Sequence, residues 1–350
     1  MQLKEIKFTP LLDTLKLEKI DDEIYFTSSI YKDCISNSRL GLLYDFNTKT
    51  PTPEKFFEGF KSTFNPSFLL GSAIHEQILQ PELFKLADDI GKPTAKMGGM
   101  ADELYEIFCQ REITDEDIIN ASNKIEYYKG KMTADRIQDV RTRCMTYWTV
   151  RYKQELDLNE SKDVRYLDGP TLEKAKACIE SLQSNKQVMN LLKPTGIIED
   201  PISECEQAIL LDVLATMPDG REIVLHLKAK LDNYTIDLES NTIKINDVKT
   251  HGQMLNTFNE AKVKWHYHRE IAVYMYLLSL IAEHKYKMVN PKKQANYLVV
   301  STMPNFYSQV VPITMSEIRI GFHEFKTLLR YAAYLMIQKQ DEQPVGKYQF

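Results

Sequence analysis

The sequence lacks the patterns that mark several protein classes. It has five cysteines but no Cys-x-x-Cys pair, which argues against zinc ribbons, iron–sulfur clusters and thioredoxin-like redox sites. No apolar run approaches the ~18 residues that a membrane-spanning helix needs. The first residues contain no apolar segment of the kind found in secretory signals. We therefore expect a cytoplasmic protein with reduced thiols and no membrane partner.

An excess of positive charge is also missing. The chain has 44 lysines and arginines against 49 aspartates and glutamates, so its net charge is −5. A positive field over the whole surface is thereby excluded, and any contact with nucleic acid must use a local patch. Hydrophobic residues make up 43% and charged residues 27% of the chain, which is typical of a folded globular protein.

The spacing of apolar residues divides the chain into a helical part and a later part rich in strands. Residues 1–70 show no regular pattern, except that Thr27-Ser28-Ser29 predicts a helix N-cap before Ile30. Helices are predicted over residues 71–79, 101–155, 171–192, 261–285 and 315–337. Strands are predicted over residues 208–214, 222–231, 234–238, 242–248, 295–303 and 309–313. These patterns predict an α/β (α+β) fold whose mixed sheet lies mostly in residues 200–315.

Three charged residues lie at predicted strand ends. Asp232 ends one strand, and Asp247 and Lys249 lie two apart near the end of another, so those two share a face. If the strands are neighbours, Asp232 faces Asp247. The two carboxylates and the Val248 carbonyl would then offer the oxygen ligands that Mg²⁺ prefers. A lysine there could orient an attacking water and offset charge on a phosphate, although an exposed strand end with an ion pair fits the same pattern.

Two further residues precede these strands. His75 lies one turn into the helix that begins at Gly71, where small residues allow close packing. Glu206 lies at the head of the first strand, on the face that it shares with Ala208 and Leu210. Each feature alone also fits an ordinary structural role, which is a packed histidine for His75 and a solvated strand end for Glu206.

The helix that follows the strands combines aromatic and charged residues. Tyr267, Glu270 and Tyr274 are spaced by three and four residues and therefore share a face. Lys264 and Arg269 have aromatic residues between them, so this segment could follow a phosphate backbone or stack on unpaired bases. An amphipathic helix with a solvated face is the alternative.

In this order, the motifs resemble the PD-(D/E)XK nuclease superfamily, and most closely the RecB-type and RecE-type exonucleases of phage and bacterial recombination. The resemblance implies a restriction-endonuclease-like core, in which helices flank a mixed central sheet, within a single nuclease domain over residues 1–350. Residues 1–195 would form a mostly helical N-terminal half that carries the His75 helix. Residues 196–350 would form the catalytic sheet and the C-terminal helices.

The resemblance also implies roles for individual residues. Lys249 would be the catalytic lysine, acting with Asp232, Asp247 and Glu206, although Glu204 is an alternative for the additional acid. The ligands of Mg²⁺ or Mn²⁺ would be Asp232, Asp247, the Val248 carbonyl, His75 and Glu206. The contacts to DNA would be Lys264, Tyr267, Arg269, Glu270 and Tyr274.

The function that the resemblance implies is a Mg²⁺-dependent deoxyribonuclease, acting as an exonuclease in recombination or DNA processing. Expected partners are DNA, a single-strand annealing or other recombination protein, and further copies of the chain. The compartment would be the host cytoplasm if a phage encodes the protein. Two alternatives stay open, a structure-specific endonuclease and a catalytically idle DNA-binding or assembly module. Glu270 stands where the family usually has Gln, and an ionised Glu would repel a phosphate, so its role is open.

Overall fold

The computed structural model describes residues 3–45, 48–59, 66–88, 91–93, 95–128, 130–158, 163–193 and 201–341. The fold is mixed α/β, as predicted. The chain is divided into two compact units, one formed by Met1–Gly71 with Cys178–Phe350 and the other by Ser72–Ala177. These units differ from the predicted halves, because the first 71 residues pack with the later, strand-rich part.

Helices and strands are interspersed along the described part of the chain. The helices are α1 (Asp22–Thr27), α2 (Asn37–Gly41), α3 (Pro53–Glu58), α4 (Pro66–Leu79), α5 (Ala95–Gln110), α6 (Asp115–Lys124), α7 (Ala134–Leu158), α8 (Gly169–Ser184), α9 (Lys186–Leu192), α10 (Phe258–Lys264), α11 (Tyr267–Tyr286) and α12 (Met315–Asp341). The strands are β1 (Lys7–Lys19), β2 (Tyr44–Asp45), β3 (Thr50–Pro51), β4 (Phe84–Asp88), β5 (Asp163–Leu167), β6 (Ile202–Thr216), β7 (Glu222–Asp237), β8 (Thr242–His251), β9 (Lys292–Ser301) and β10 (Ser308–Pro312). Short 3-10 turns lie at Leu3–Glu5 and Leu255–Thr257.

A six-stranded mixed sheet organises the first unit. Its strand order is β1-β6-β7-β8-β9-β10. The pair β8–β9 is parallel and the other pairs are antiparallel. A parallel pair needs a long crossover, and α10 with α11 provides it between β8 and β9. Sheet residues such as Leu211 and Ile245 pack with residues of α11 and α12 in one hydrophobic core.

The edge strand β1 corrects the prediction that residues 1–70 are irregular. It pairs antiparallel with β6, and the register shifts between Leu11 and Lys16. Thr14 lies inside this irregularity, where its Oγ1 accepts a hydrogen bond of 2.8 Å from the Asp212 N–H. The pairing joins residues about 200 positions apart, and many β1 side chains are charged and exposed, as is common on sheet edges. The only alternating apolar run in this strand, Leu15-Lys16-Leu17-Glu18, is short, and the prediction missed the strand.

The predicted N-cap at Thr27-Ser28-Ser29 is also wrong. The helix in this region begins earlier, because the Asp21 carboxylate accepts a hydrogen bond of 2.8 Å from the Glu23 N–H and caps α1. Thr27 is the last residue of that helix and Ser28 is its C-cap. Residues 29–33 form turns instead of a helix.

Other predicted elements are present with different boundaries. Residues 234–238 do not form a separate strand, because β7 continues without a break to Asp237. The helix predicted over 171–192 is two helices separated at Asn185, whose side chain caps α9. The helix predicted over 261–285 is broken at His266, whose φ of 54° is left-handed. The strands predicted over 295–303 and 309–313 are confirmed as the antiparallel pair β9 and β10, and the helix predicted over 315–337 is confirmed as α12.

The second unit has its own core. It includes α5, α6 and α7, as the helical pattern of residues 101–155 predicted, together with β4 and β5 as a parallel pair. Trp148 is fully buried, and its Nε1 donates a hydrogen bond of 2.8 Å to the Ala101 carbonyl. Across the described part of the chain, no helix is both long enough and apolar enough to cross a bilayer.

Candidate active site

The candidate site lies where β7 and β8 diverge. Their described pairing runs from Asp237–Thr242 to Asn233–Asn246 and ends there. Asp232 directly precedes Asn233 in β7 and lies just beyond the last pair. Its Oδ2 accepts a hydrogen bond of 2.7 Å from the Val248 N–H. A side-chain carboxylate therefore accepts the bond that a continued strand pair would have provided. Asp232 faces β8 as predicted, although it lies within a strand and not at a strand end.

A loop segment takes the place beside β7 that β8 has left. Ile35 forms an isolated parallel bridge with Leu227. The Ile35 N–H donates to the His226 carbonyl at 2.7 Å, and the Lys228 N–H donates to the Ile35 carbonyl at 3.0 Å. Backbone groups that the divergence leaves on β7 are thereby satisfied. We call the place beyond the Asn233–Asn246 pair, where β7 and β8 separate, the fork. The bonds to Ile35 stabilise this separation.

Lys249 lies between two carboxylates at this fork. Its Nζ is 2.8 Å from Oδ2 of Asp247 and 3.0 Å from Oε2 of Glu270. The alternation of β8 places Asp247 and Lys249 on one face, as predicted. Tyr274 donates a hydrogen bond of 3.1 Å to Oε1 of Glu270, and the Nζ lies 5.1 Å from the centre of the Tyr267 ring. Helix α11 therefore supplies one wall of the site.

Negative charge is concentrated here in a region with little solvent. Asp247 is only 1% exposed, and burial, assisted by Asp232 and Glu270, raises the pKa of its carboxyl. Burial and the charge of Glu206 likewise raise the pKa of Asp232 against the opposing effect of Lys249. Both shifts have the direction expected for a carboxylate that is poorly hydrated and has other negative charges nearby.

Lys249 has the opposite tendency. Burial alone would lower its pKa, but the charges of Asp247, Glu270 and Asp232 outweigh burial and hold the pKa well above its ordinary value. The side chain is therefore an ammonium ion at neutral pH in this arrangement. It can stabilise negative charge and orient a neighbouring group, but it is poorly suited to removing a proton.

Glu206 lies on β6 opposite Asp232. The register pairs Cys205 with Asn233 and Gln207 with Leu231, which places Glu206 opposite Asp232 between those pairs. Its φ of 56° is left-handed, a conformation that side-chain-bearing residues rarely adopt. The prediction that Glu206 lies at the strand head is wrong, because β6 begins at Ile202. Glu204, the alternative acid, keeps a regular pairing with Tyr234.

A lysine that the sequence analysis did not single out holds Glu206. Lys230 Nζ lies 2.8 Å from Oε2 of Glu206 and also contacts the Asp22 carboxylate at the start of α1. Both side chains are mostly buried, with 11% exposure for Lys230 and 13% for Glu206. A signal existed in the sequence, because Lys230 lies two residues before Asp232 on the same strand and therefore on the same face. Asp22 lies too far away in the sequence for any local pattern to connect it with this site.

His75 lies on α4, in the part of that helix assigned to the second unit. Its predicted role as a metal ligand stays a prediction, as does the role of the Val248 carbonyl. The helix begins in the first unit, and there a Cβ on Gly71 would lie 3.3 Å from Oγ1 of Thr250, next to Lys249 in β8. The small residue predicted to allow close packing at Gly71 therefore does so.

The residues predicted to contact DNA lie in different environments. Lys264 is exposed and its Nζ lies 4.9 Å from the centre of the ring of Trp265, which is itself 60% exposed. Arg269 is 4% exposed, and its Nε donates a hydrogen bond of 2.8 Å to Oδ1 of Asn37 on α2. The side chain of Arg269 thus joins α2 to α11, and its predicted phosphate contact stays a prediction that this burial does not favour. Tyr267, Glu270 and Tyr274 lie together at Lys249 and not on an outer surface.

The residues at the fork fit a divalent cation. Glu206, Asp232, Asp247 and Glu270 outnumber the ammonium groups that neutralise them, Lys230 and Lys249. The buried Oδ2 of Asp247 lies close to the Lys249 ammonium without accepting a directed hydrogen bond among the described residues. Clustered carboxylate oxygens are the donor set that Mg²⁺ and Mn²⁺ take.

Comparisons with known proteins give little guidance. No family model matches the chain, and no curated protein does so. Among solved structures, the chain is similar to a crystal structure of a candidate exonuclease from Eubacterium rectale. The two share 10% sequence identity over 95% of this chain and 96% of the other, with a TM-score of 0.42. A similarity this distant does not assign a function.

Proposed function

We propose that this chain is a Mg²⁺- or Mn²⁺-dependent deoxyribonuclease of the PD-(D/E)XK type. The observation that carries the proposal is the convergence of Asp232, Asp247 and Lys249 at the fork between β7 and β8. Two neighbouring carboxylates with raised pKa values, the partly buried Asp232 and the buried Asp247, provide a place for a cation. The adjacent ammonium provides a positive charge that would lie next to a bound phosphate.

The cation would be held by Asp232 and Asp247, with the Val248 carbonyl, Glu206 and His75 as the further ligands that the motifs predict. When bound, it would supply Lewis-acid stabilisation of charge on a phosphate and lower the pKa of a bound water. Asp232 is pre-positioned for this role, because its second oxygen is fixed by the Val248 N–H. Lys230 fixes Glu206 in the same way.

Lys249 would act through its charge. Negative charge grows on the phosphate oxygens as a phosphodiester is cleaved, and a fixed ammonium in a site with little water stabilises that charge strongly. Ion pairs with Asp247 and Glu270 hold the Nζ in place before substrate arrives. The Tyr274 hydroxyl in turn fixes the Glu270 carboxylate. The protein thus contributes orientation and electrostatic stabilisation by groups that need little rearrangement.

DNA is the proposed substrate, and the exonuclease assignment to the RecB/RecE-like branch is the finer part of the proposal. Exposed Lys264 and Trp265, beside α11, would contact a phosphate and stack on a base. Recombination as the setting, an annealing protein as partner and assembly into a homo-oligomer are parts of the same proposal that follow from the motifs alone.

One observation favours a second candidate function. Lys249 is paired with Glu270, a residue whose negative charge would oppose an incoming phosphate. A DNA-binding module that has lost catalysis could retain the fork as a structural feature, with Lys249 neutralised permanently. Intact Asp232 and Asp247 favour the enzyme, since an idle site gains nothing from two clustered carboxylates whose charge is unfavourable.

A panel of DNA substrates tests the proposal. Linear duplex labelled at the 5′ or the 3′ end, linear single strands and closed circles would be incubated with the full chain, with Mg²⁺, with Mn²⁺ and with a chelator. We expect cation-dependent degradation of linear DNA and no cleavage of circles. Cleavage of circles would assign an endonuclease. Binding without cleavage under every metal condition would assign the idle module and contradict the proposed activity.

A further inference from the structure

A second group of metal-ligating side chains lies away from the fork, where α11 begins. His266, His268 and Glu324 each offer one ligand atom, and these atoms lie within 4.8 Å of one another. Nδ1 of His266 lies 3.0 Å from Oε2 of Glu324, and Nε2 of His268 lies 3.0 Å from Oε1. The three side chains are 13–27% exposed, so an ion there would be partly shielded but reachable from solvent.

The backbone is distorted in the way that this grouping requires. Residues two apart on a regular helix point in nearly opposite directions and do not meet. His266 has a left-handed φ of 54° and separates α10 from α11. The break turns both imidazoles to the same side, with ring centres 5.7 Å apart. Residues other than glycine that are held in the left-handed region cluster at functional sites.

Close packing of two helices supplies the third ligand. A Cβ on Gly321 would collide with the His268 carbonyl oxygen, so α12 can approach the start of α11 only with glycine at this position. Glu324 follows Gly321 by three residues and therefore lies on the same side of α12. The approach brings its carboxylate against both imidazoles.

We propose that His266, His268 and Glu324 form a binding site for Zn²⁺ or a similar borderline divalent cation. Two imidazole nitrogens and one carboxylate with an open fourth position are a common zinc ligand set. The ring nitrogens that face Glu324 would be in their unprotonated tautomer in the bound state, because a metal ligand must present a lone pair. The neighbouring cation Arg269 has its guanidinium against α2, where it donates to Asn37.

The bound cation would join the start of α11 to α12. Helix α11 carries Glu270 and Tyr274, so the site would also fix the helix that forms one wall of the fork. The inference is independent of the proposed nuclease function, because it uses none of the residues assigned to that function.

Zn²⁺ binding to the full chain tests this site. A chain carrying both Asp232→Asn and Asp247→Asn serves as the background, since the two changes remove both carboxylates that the proposed function places on the fork cation. Zn²⁺ would be titrated calorimetrically, and Co²⁺ would serve as a spectroscopic probe. We expect about one equivalent of Zn²⁺ to bind, with visible Co²⁺ absorption bands of a nitrogen- and oxygen-ligated site and a rise in Tm.

Variants then assign the ligands. His268→Ala and, separately, Glu324→Gln should each weaken Zn²⁺ binding by about 100-fold or more, since only two protein ligands remain. Glu324→Gln keeps the shape and a hydrogen-bond acceptor, so it stays informative if His268→Ala folds poorly by circular dichroism. His284→Ala, an exposed histidine on the same helix, is the matched control and should bind normally. No Zn²⁺ binding in the background protein, or binding that survives Glu324→Gln unchanged, would overturn the proposal.

Discussion

Nζ of Lys249 lies 3.0 Å from Oε2 of Glu270, and Oε1 of the same glutamate accepts a hydrogen bond from Tyr274. Lys249 on β8 is therefore held by a carboxylate from α11, the helix that follows this strand. This pair decides how much of the ammonium charge is available to a phosphate. The sequence leaves the role of Glu270 open, and the effect of replacing Glu270 on activity can now be predicted from this contact.

Glu270→Gln should increase activity on DNA. The change removes a negative charge from beside Lys249, leaves an oxygen that can still accept from Tyr274, and adds an amide donor. We expect kcat/KM to rise several-fold, which corresponds to about 1 kcal/mol. Glu283→Gln, at an exposed position of the same helix, makes the same charge change away from the site and should have no effect. A fall in activity together with weaker metal binding would show instead that Glu270 acts as a ligand.

Asp247→Asn should stabilise the metal-free protein in a pH-dependent way. The pKa of Asp247 is raised in the folded state, so the folded chain holds this proton more tightly than the unfolded chain does. The free energy of unfolding of the parent therefore falls as pH rises above about 4, where the unfolded carboxyl ionises. Asn does not ionise and avoids this loss.

The measurement for Asp247→Asn is Tm in a chelator at several pH values. We expect little difference from the parent at pH 4 and an advantage of about 2 kcal/mol at pH 8. The corresponding change in Tm is roughly 2–4 °C per kcal/mol for a unit of this size. Asp13→Asn on exposed β1 is the control and should give a flat difference. An Asp247→Asn variant that is less stable than the parent at pH 8 would contradict the electrostatic account of the fork.

Substitutions at Glu206 should separate backbone strain from chemistry. Glu206→Ala and Glu206→Gly both remove the carboxylate and its pairing with Lys230, but only glycine adopts a φ of 56° without penalty. We expect the free energy of unfolding of Glu206→Gly to exceed that of Glu206→Ala by about 1 kcal/mol. Chemical denaturation in the presence of a chelator measures this difference. At Ala208, also on β6, replacement by glycine should destabilise the protein by about 0.5–1 kcal/mol. Equal stabilities for the two Glu206 variants would mean that position 206 is not strained.

The sequence predicted the features of the site that depend on neighbouring residues, and it did not predict those that depend on distant ones. The period-two alternation of β8 correctly placed Asp247 and Lys249 on one face, because that geometry depends only on neighbouring residues. The left-handed conformation of Glu206 depends on packing across the sheet, where Lys230 and Asp22 hold it. The pairing of β1 with β6 joins distant segments through backbone groups, so the short alternation Leu15-Lys16-Leu17-Glu18 could not identify the partner strand.

Burial also separates two residues for which the sequence predicted the same role, Arg269 and Lys264. Arg269 and Lys264 look alike in the sequence as cations on one segment, yet the break at His266 turns the helix that follows. Arg269 then lies under α2 while Lys264 stays exposed. A charged residue was expected at the surface, and its partner Asn37, more than 200 positions earlier, could not be foreseen from spacing.

Lys264→Ala should weaken DNA binding and reduce its salt dependence. Counterion release depends on the cations at the contact and not on the net charge of −5. The plot of log binding constant against log salt concentration should lose roughly one unit of slope. Lys285→Ala, at an exposed position near the other end of α11, is the matched control and should keep the parent slope. An unchanged slope for Lys264→Ala would exclude this lysine from the phosphate contact.

The most direct test of the central claim compares DNA degradation by the parent and by Asp247→Asn. Release of nucleotides from linear duplex DNA would be followed in Mg²⁺ and in a chelator, with both proteins shown to be folded by circular dichroism. We expect the parent to degrade DNA only with the cation, and the variant to lose about 100-fold or more of that rate, because a neutral amide is a poor ligand for a hard cation. Equal cation-dependent rates for the two proteins, or degradation by the parent in the chelator, would contradict a metal-dependent nuclease centred on Asp232, Asp247 and Lys249.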